Sequence, residues 1–118
     1  MWDVEVTDQF VEWWETLTEE QQEAITDRVD LLAERGPELG RPLVDTIKSA
    51  RHHNMKELRA AKGGALRVLF LFDPRRKVIL LFGGDKTDQW SAWYRWAVPL
   101  ADDLYDVYLE ELRQEGLI

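Results

Sequence analysis

Polar and apolar positions alternate at the start of the chain, where Trp2, Val4 and Val6 interleave with Asp3 and Glu5. A period of two marks a half-buried strand, so the chain is predicted to open on one. The period changes at Thr7 or Asp8, either of which can cap a helix, and Phe10, Trp13, Trp14 and Leu17 then recur at helical spacing. The run "TEEQ" from Thr18 to Gln21 has the form of a capping box, and Ile25, Val29, Leu32 and Ala33 give the second helix its apolar stripe until Gly36-Pro37 ends it. Two helices packed as a hairpin follow from this pattern.

No clear period runs through "GPELGRPLVDTIKSARHHN", which reads as a long irregular connection. Beyond it three strands are predicted, over 55–61, 65–72 and 77–82, joined by "KGG" and "DPRR" turns into an antiparallel meander. The middle strand carries Leu66, Val68, Phe70 and Phe72 on one face and Leu69 and Leu71 on the other, as a strand covered on both sides does. After "GGDKTD" a short helical stretch places Trp90, Trp93 and Trp96 on a stripe expected to pack on the sheet. Pro99 then opens a last helix with Leu100, Leu104, Tyr105, Tyr108 and Leu112. The predicted fold is α+β: an N-terminal strand and two-helix hairpin on one face of an antiparallel sheet, then the meander, then C-terminal helices at the other side or end.

A length of 118 residues suits one domain, 1–118, with a single modest core. The longest apolar runs are strand-sized, no cysteine is available for a disulfide or a thiolate metal site, and "MWDVEVTD" lacks the features of a signal peptide, so a reducing cytoplasm is expected. The net charge of −8 speaks against a nucleic-acid partner until its distribution is considered. Residues 1–40 carry −10, residues 41–86 carry +7, and residues 87–118 carry −5. A basic middle between acidic ends marks either a local anion site or a segment that the ends neutralise within the fold.

The hairpin sharpens that choice. With a turn at Lys62-Gly63-Gly64, residues whose numbers sum to 126 lie opposite each other, so Arg59 faces Arg67 and Glu57 faces Leu69 on the same surface. If Phe72 opposes Val78 across the next turn, Gly83 lies opposite Arg67, and Lys86 leaves the sheet at the same end. Two facing guanidiniums repel unless an anion lies between them. Arg59, Arg67 and Lys86 would suit a phosphate, while Glu57 and Asp85 could instead neutralise the arginines in a solvated lattice.

The order of strand, two helices and meander, with "MKELR" on its first strand, Arg67 on the next and "GGDK" after the last, resembles the RelE/HigB toxins of type II toxin–antitoxin modules. The tail "WSAWYRWAVPLADDLYDVYLEEL" is similar to a subgroup of addiction-module toxins. The resemblance implies a ribosome-dependent endoribonuclease that cuts mRNA in the decoding site, needs no metal or other cofactor, and is held inactive in a hetero-oligomer by a cognate antitoxin, of the helix-turn-helix, HigA-like kind. It assigns catalysis to Arg59, Arg67 and Lys86. Glu57 is placed as their support, and Lys56, Lys62, Arg51 and His53 as further RNA contacts, with His52 or His53 next in line as an acid or base. The acidic body departs from the family's usual basicity, and no C-terminal His or Tyr aligns with the family's. Inhibition of DNA gyrase in the manner of ParE, and an inert protein-binding module, are the alternative readings.

Overall fold

Thr7 marks the first change of direction. The strand before it, β1 (Asp3–Val6), leads into α1 (Asp8–Glu15), and the Thr7 hydroxyl accepts the Phe10 amide while donating to the Leu81 carbonyl at 2.6 Å. One side chain thus caps the helix and pins it to the sheet. α2 (Glu19–Arg35) starts with the expected capping box: the Gln21 amide donates to the Thr18 hydroxyl and the Thr18 amide to the Gln21 side chain. Gly36, at φ 59°, ends it. These and all later elements come from a computed structural model that describes every residue from Met1 to Ile118.

The remaining strands are β2 (Val44–Thr46), β3 (Lys56–Ala61), β4 (Ala65–Asp73) and β5 (Lys77–Asp85), in one five-stranded sheet of order β1-β5-β4-β3-β2. The β3-β4-β5 meander is antiparallel, as its alternation and turns require. Two pairings lay beyond the sequence pattern. β1 runs parallel to β5, which makes the sheet mixed rather than wholly antiparallel, and the connection read as irregular contributes β2 as an edge strand against β3. Both strands are short, β2 has no periodicity of its own, and the alternation of β1 marks a strand without naming its partner.

The two faces are covered by different helices. Phe10, Ile25 and Leu32 from α1 and α2 pack on Leu58, Leu66, Val68, Phe70 and Val78, whereas Trp93, Ala97, Ala101 and Tyr105 of the last helix pack on Leu69, Leu71, Ile79 and Leu81. β4 is therefore enclosed on both sides, as expected. That last helix, α3, is continuous over Ser91–Gln114 with Pro99 inside it, where a short stretch and a separate helix were predicted. Pro99 lies on the exposed side while Ala97, Val98 and Ala101 are buried against the sheet, so the packed face carries the helix through the proline. No helix is long and apolar enough to cross a membrane.

Register in β5 is shifted by a bulge. Leu69 pairs with Phe82 and Phe70 with Leu80, which leaves Leu81 as the extra residue. Gly84 rather than Gly83 then stands opposite Arg67, and the strand continues to Asp85 instead of stopping at Phe82. The two glycines admit tryptophans from both sides: a Cβ would lie 2.1 Å from Trp13 at Gly83 and 2.6 Å from Trp93 at Gly84. Of the predicted tryptophan stripe only Trp93 is buried; Trp90 and Trp96 are exposed. A step of three residues turns a helix by about 300°, which swings Trp96 some 60° away from Trp93, while Trp90 precedes the helix on a non-helical backbone.

Candidate functional site

Gly63 and Gly64, at φ 64° and 152°, form the β3–β4 turn, and the pairing that results is Arg59 opposite Arg67 and Glu57 opposite Leu69, as the sequence arithmetic required. Alternation points these side chains toward α3, because Leu58 and Ala60 belong to the opposite core. Glu57 is only 2% exposed, and its hydrogen-bond partners are donors from β3 and α3. Arg59 Nε donates to its Oε1 at 3.2 Å, and the Tyr94 hydroxyl, reaching down from the first turn of α3, lies 2.8 and 2.9 Å from its two oxygens. Arg59 Nη2 also donates to Asp45 on β2 at 3.1 Å.

Arg67 is held differently. Its Nε lies 3.2 Å from Glu57 Oε1 but is misaligned, and it is a buried donor without a hydrogen-bond acceptor. Arg59 Nε takes the better-aligned approach to Oε1, and the single proton of the Tyr94 hydroxyl lies between the two oxygens, so three donors share one carboxylate. Nη1 donates to the Leu66 carbonyl, so one guanidinium keeps unspent hydrogen-bonding capacity in a largely enclosed position. Such a group is a ready receptor for a second anion.

Lys86 completes the cluster. Its amide donates to the Ala65 carbonyl at 3.0 Å, and the neighbouring Asp85 carboxylate accepts the Ala65 and Thr87 amides and the Thr87 hydroxyl, which fixes the backbone at the end of β5. Asp85 is therefore spent on this turn, and the carboxylates that neutralise the arginines are Glu57, beside both, and Asp45, beside Arg59. Burial raises the Asp85 carboxyl, but the bonds from Thr87 and Ala65 outweigh it and hold the group below the usual carboxylate range. The Lys86 ammonium lies 5.3 Å from the Trp90 ring and 5.2 Å from the Tyr94 ring. Burial pushes it below the ordinary lysine range, the charges of Arg67 and Arg59 act in the same direction, and Glu57 opposes them. Burial also raises the Tyr94 phenol, reinforced by its bond to Glu57, so the hydroxyl keeps its proton.

The structure thus brings together Arg59, Arg67, Lys86 and Glu57 and leaves the other candidates outside. Lys56 shares the α2-side face with Leu58, and Lys62 sits in the hairpin turn 3.8 Å from Glu20. Arg51 is bound to Asp103 and Asp106, and His52 to Asp106 at 2.8 Å, while the buried Asp102 accepts both of their amides. These aspartates lie eight to twelve residues beyond Tyr94 on α3, about 12–18 Å along its axis, and His53 is exposed near that end. Two participants were missed. Asp45 was hidden in a segment without periodicity. Tyr94 could have been found from the buried series Trp93, Ala97, Val98, Ala101, beside which it lies once α3 is taken as one helix.

Residues 12–106 match the family model described as phage-derived protein Gp49-like. Over 97 residues the chain is 45% identical to a Mycobacterium tuberculosis protein that bears the toxin name HigB3, a match covering 82% of this chain and 84% of that one. It is 41% identical over 101 residues to a second from the same organism, bearing the toxin name HigB2, covering 84% of this chain and half of the longer relative. Among solved structures it resembles a free arginine-to-alanine double mutant of the E. coli toxin RelE, with TM-score 0.62, 12% identity, and 83% of this chain and 95% of that one covered. It also resembles a chain of the RelBE2 toxin–antitoxin complex of Mycobacterium tuberculosis, with TM-score 0.57 and 13% identity over 71% of this chain and 96% of that one. At such identities the likeness to the solved structures is one of fold.

Proposed function

The chain belongs to the Gp49-like family, and from that premise we propose that it is the toxin of a type II toxin–antitoxin pair, a metal-independent endoribonuclease that cuts ribosome-bound mRNA. The observation that carries this reading is the facing pair Arg59 and Arg67 over one buried carboxylate, with Lys86 at its edge and a donor of Arg67 unsatisfied. Two carboxylates, Glu57 and Asp45, stand among three positive groups, so the cluster retains one positive charge in surplus for a phosphodiester on a chain whose net charge is −8.

RNA strand scission through the neighbouring 2′-hydroxyl needs three things: a proton leaving that hydroxyl, stabilisation of the pentavalent phosphate, and a proton for the departing 5′-oxygen. Arg67 and Arg59 meet the second need with donors that Glu57 aims but does not exhaust. Lys86 donates the proton to the departing 5′-oxygen, since an ammonium with lowered pKa gives up its proton more readily than an ordinary lysine, and the 2′-hydroxyl loses its own proton to solvent water. Glu57 and Tyr94 orient the arginines. A cognate antitoxin, of the HigA-like helix-turn-helix kind, holds the toxin inactive in a hetero-oligomer within the cytoplasm.

Expression of the chain alone tests the reading. Growth should stop with amino-acid incorporation falling first, and co-expression of the neighbouring antitoxin gene should restore it. Arrest with protein synthesis intact and plasmid supercoiling altered would assign the chain to gyrase inhibition instead, and no arrest at all would mark it as inert.

A further inference from the structure

Trp90 combines two features that its fold does not explain. Its indole is 60% exposed, and its backbone is left-handed at φ 45°, a region that bulky side chains avoid. Asp88, two residues earlier, is also left-handed at φ 67°, and the Gln89 and Trp90 amides both donate to the Lys86 carbonyl, so the turn between β5 and α3 is tightly wound. This winding brings the Trp90 ring no core contact. Trp96, the other exposed tryptophan of this helix, has a structural role, since its indole N–H donates to Gln89 and its ring meets Phe82 and Trp93. The charged partner of the Trp90 ring is the Lys86 ammonium, which it shares with Tyr94.

We infer that Trp90 is a nucleobase platform: it stacks the base next to the phosphate that Arg59, Arg67 and Lys86 hold. The inference rests on the ribonuclease reading and adds the element that reading lacks, a surface for the base. Lys86 links the two halves, because its ammonium lies at once in the field of Arg67 and Arg59 and over the Trp90 ring. A phosphate on the cluster is therefore one lysine head away from the indole, and in RNA each phosphate is separated from a base by a single ribose. Stacking on an exposed ring is how single-stranded RNA is commonly held, and it tolerates every base because each has a π face. Trp90 should accordingly contribute to binding at all codons alike.

The test uses the full chain on ribosomes programmed with an mRNA that carries 2-aminopurine in the decoding-site codon, 2′-O-methylated so that it cannot be cut, alongside the cleavable RNA. The parent should change the 2-aminopurine emission on binding. Trp90→Gly, which suits the left-handed backbone and removes the ring, should abolish that change. It should also lower cleavage efficiency roughly ten- to hundredfold, mainly through the half-saturating concentration, whereas Trp90→Phe should stay within about threefold of the parent. Its melting temperature should match the parent's, which separates lost stacking from lost folding. An unchanged emission signal with Trp90→Gly overturns the platform, and so does weaker antitoxin neutralisation with that signal intact, which would make Trp90 a partner contact. A parent that gives the signal but does not cut would remove the ribonuclease reading and leave the platform standing.

Discussion

Replacing Glu57 by glutamine keeps the shape of the buried side chain and deletes its charge, which isolates the electrostatic role of the carboxylate. The parent carboxylate is almost wholly enclosed and lies 3.2 Å from both Arg59 Nε and Arg67 Nε. Breaking a buried pair by removing one partner costs about 3–5 kcal/mol. Two features reduce that here: Arg59 keeps its bond to Asp45, and the arginine side chains are 29% and 14% exposed, so water screens part of the repulsion. A loss of about 2–4 kcal/mol is expected. Unfolding entropy of about 2.1 cal/mol/K per residue makes 1 kcal/mol worth about 4 °C in a chain of this length, so Glu57→Gln should melt about 8–16 °C below the parent. Added phosphate should recover more of that loss in the variant than in the parent, because an anion between the guanidiniums replaces the missing charge. A variant that melts with the parent, or above it, would show that the arginines do not depend on Glu57 and would undo the description of the site.

Other perturbations give readings elsewhere in the molecule. Gly83→Ala should destabilise by at least about 1–3 kcal/mol, because its Cβ would meet the Trp13 ring at 2.1 Å, and a chemical denaturation series would show it as a lower midpoint at unchanged slope. Lys77 and then the Tyr108 hydroxyl hold Glu5 below the usual carboxylate range, and Arg51 and then His52 do the same for Asp106. Lowered folded-state values make this stabilisation complete above the unfolded carboxylate range near pH 4; melts between pH 6 and pH 2 should find it lost as the pH falls through those values. Cleavage should decline on the alkaline side at a lower pH than an ordinary lysine would set, as the depressed Lys86 ammonium loses its proton, and in Lys86→Arg that limb should disappear along with most of the rate; a limb at the position of an ordinary lysine would exclude Lys86 from proton transfer.

Much of this site was legible in sequence because its key pairing is local. A Gly-Gly turn and strict alternation suffice to set Arg59 against Arg67 and to bring Glu57 onto their face, and no distant contact enters that arithmetic. The bulge at Leu81 was not legible, since five apolar residues in "VILLF" look alike to a period-two pattern, and it moved the partner of Arg67 from Gly83 to Gly84. Tyr94 was hidden by one misread boundary. Once Pro99 is taken as a helix start, the phase of 91–98 is uncoupled from that of 100–112, and the tryptophan stripe then picks out Trp93 for the sheet and leaves Tyr94 unassigned. Asp45 and the parallel partner of β1 depend on contacts between distant segments, for which the chain offers only three and four residues of evidence.

Arg67→Ala separates a guanidinium that serves the phosphate from one that serves the fold. Glu57 retains Arg59 and Tyr94 as partners in that variant, so the fold should hold, with a melting temperature within about 5 °C of the parent's. Incubated with programmed ribosomes, purified parent should cut the mRNA at the decoding site, while Arg67→Ala should cut at least about a hundredfold more slowly, as loss of a transition-state charge contact requires. A folded Arg67→Ala protein that cuts at the parent rate would contradict the account.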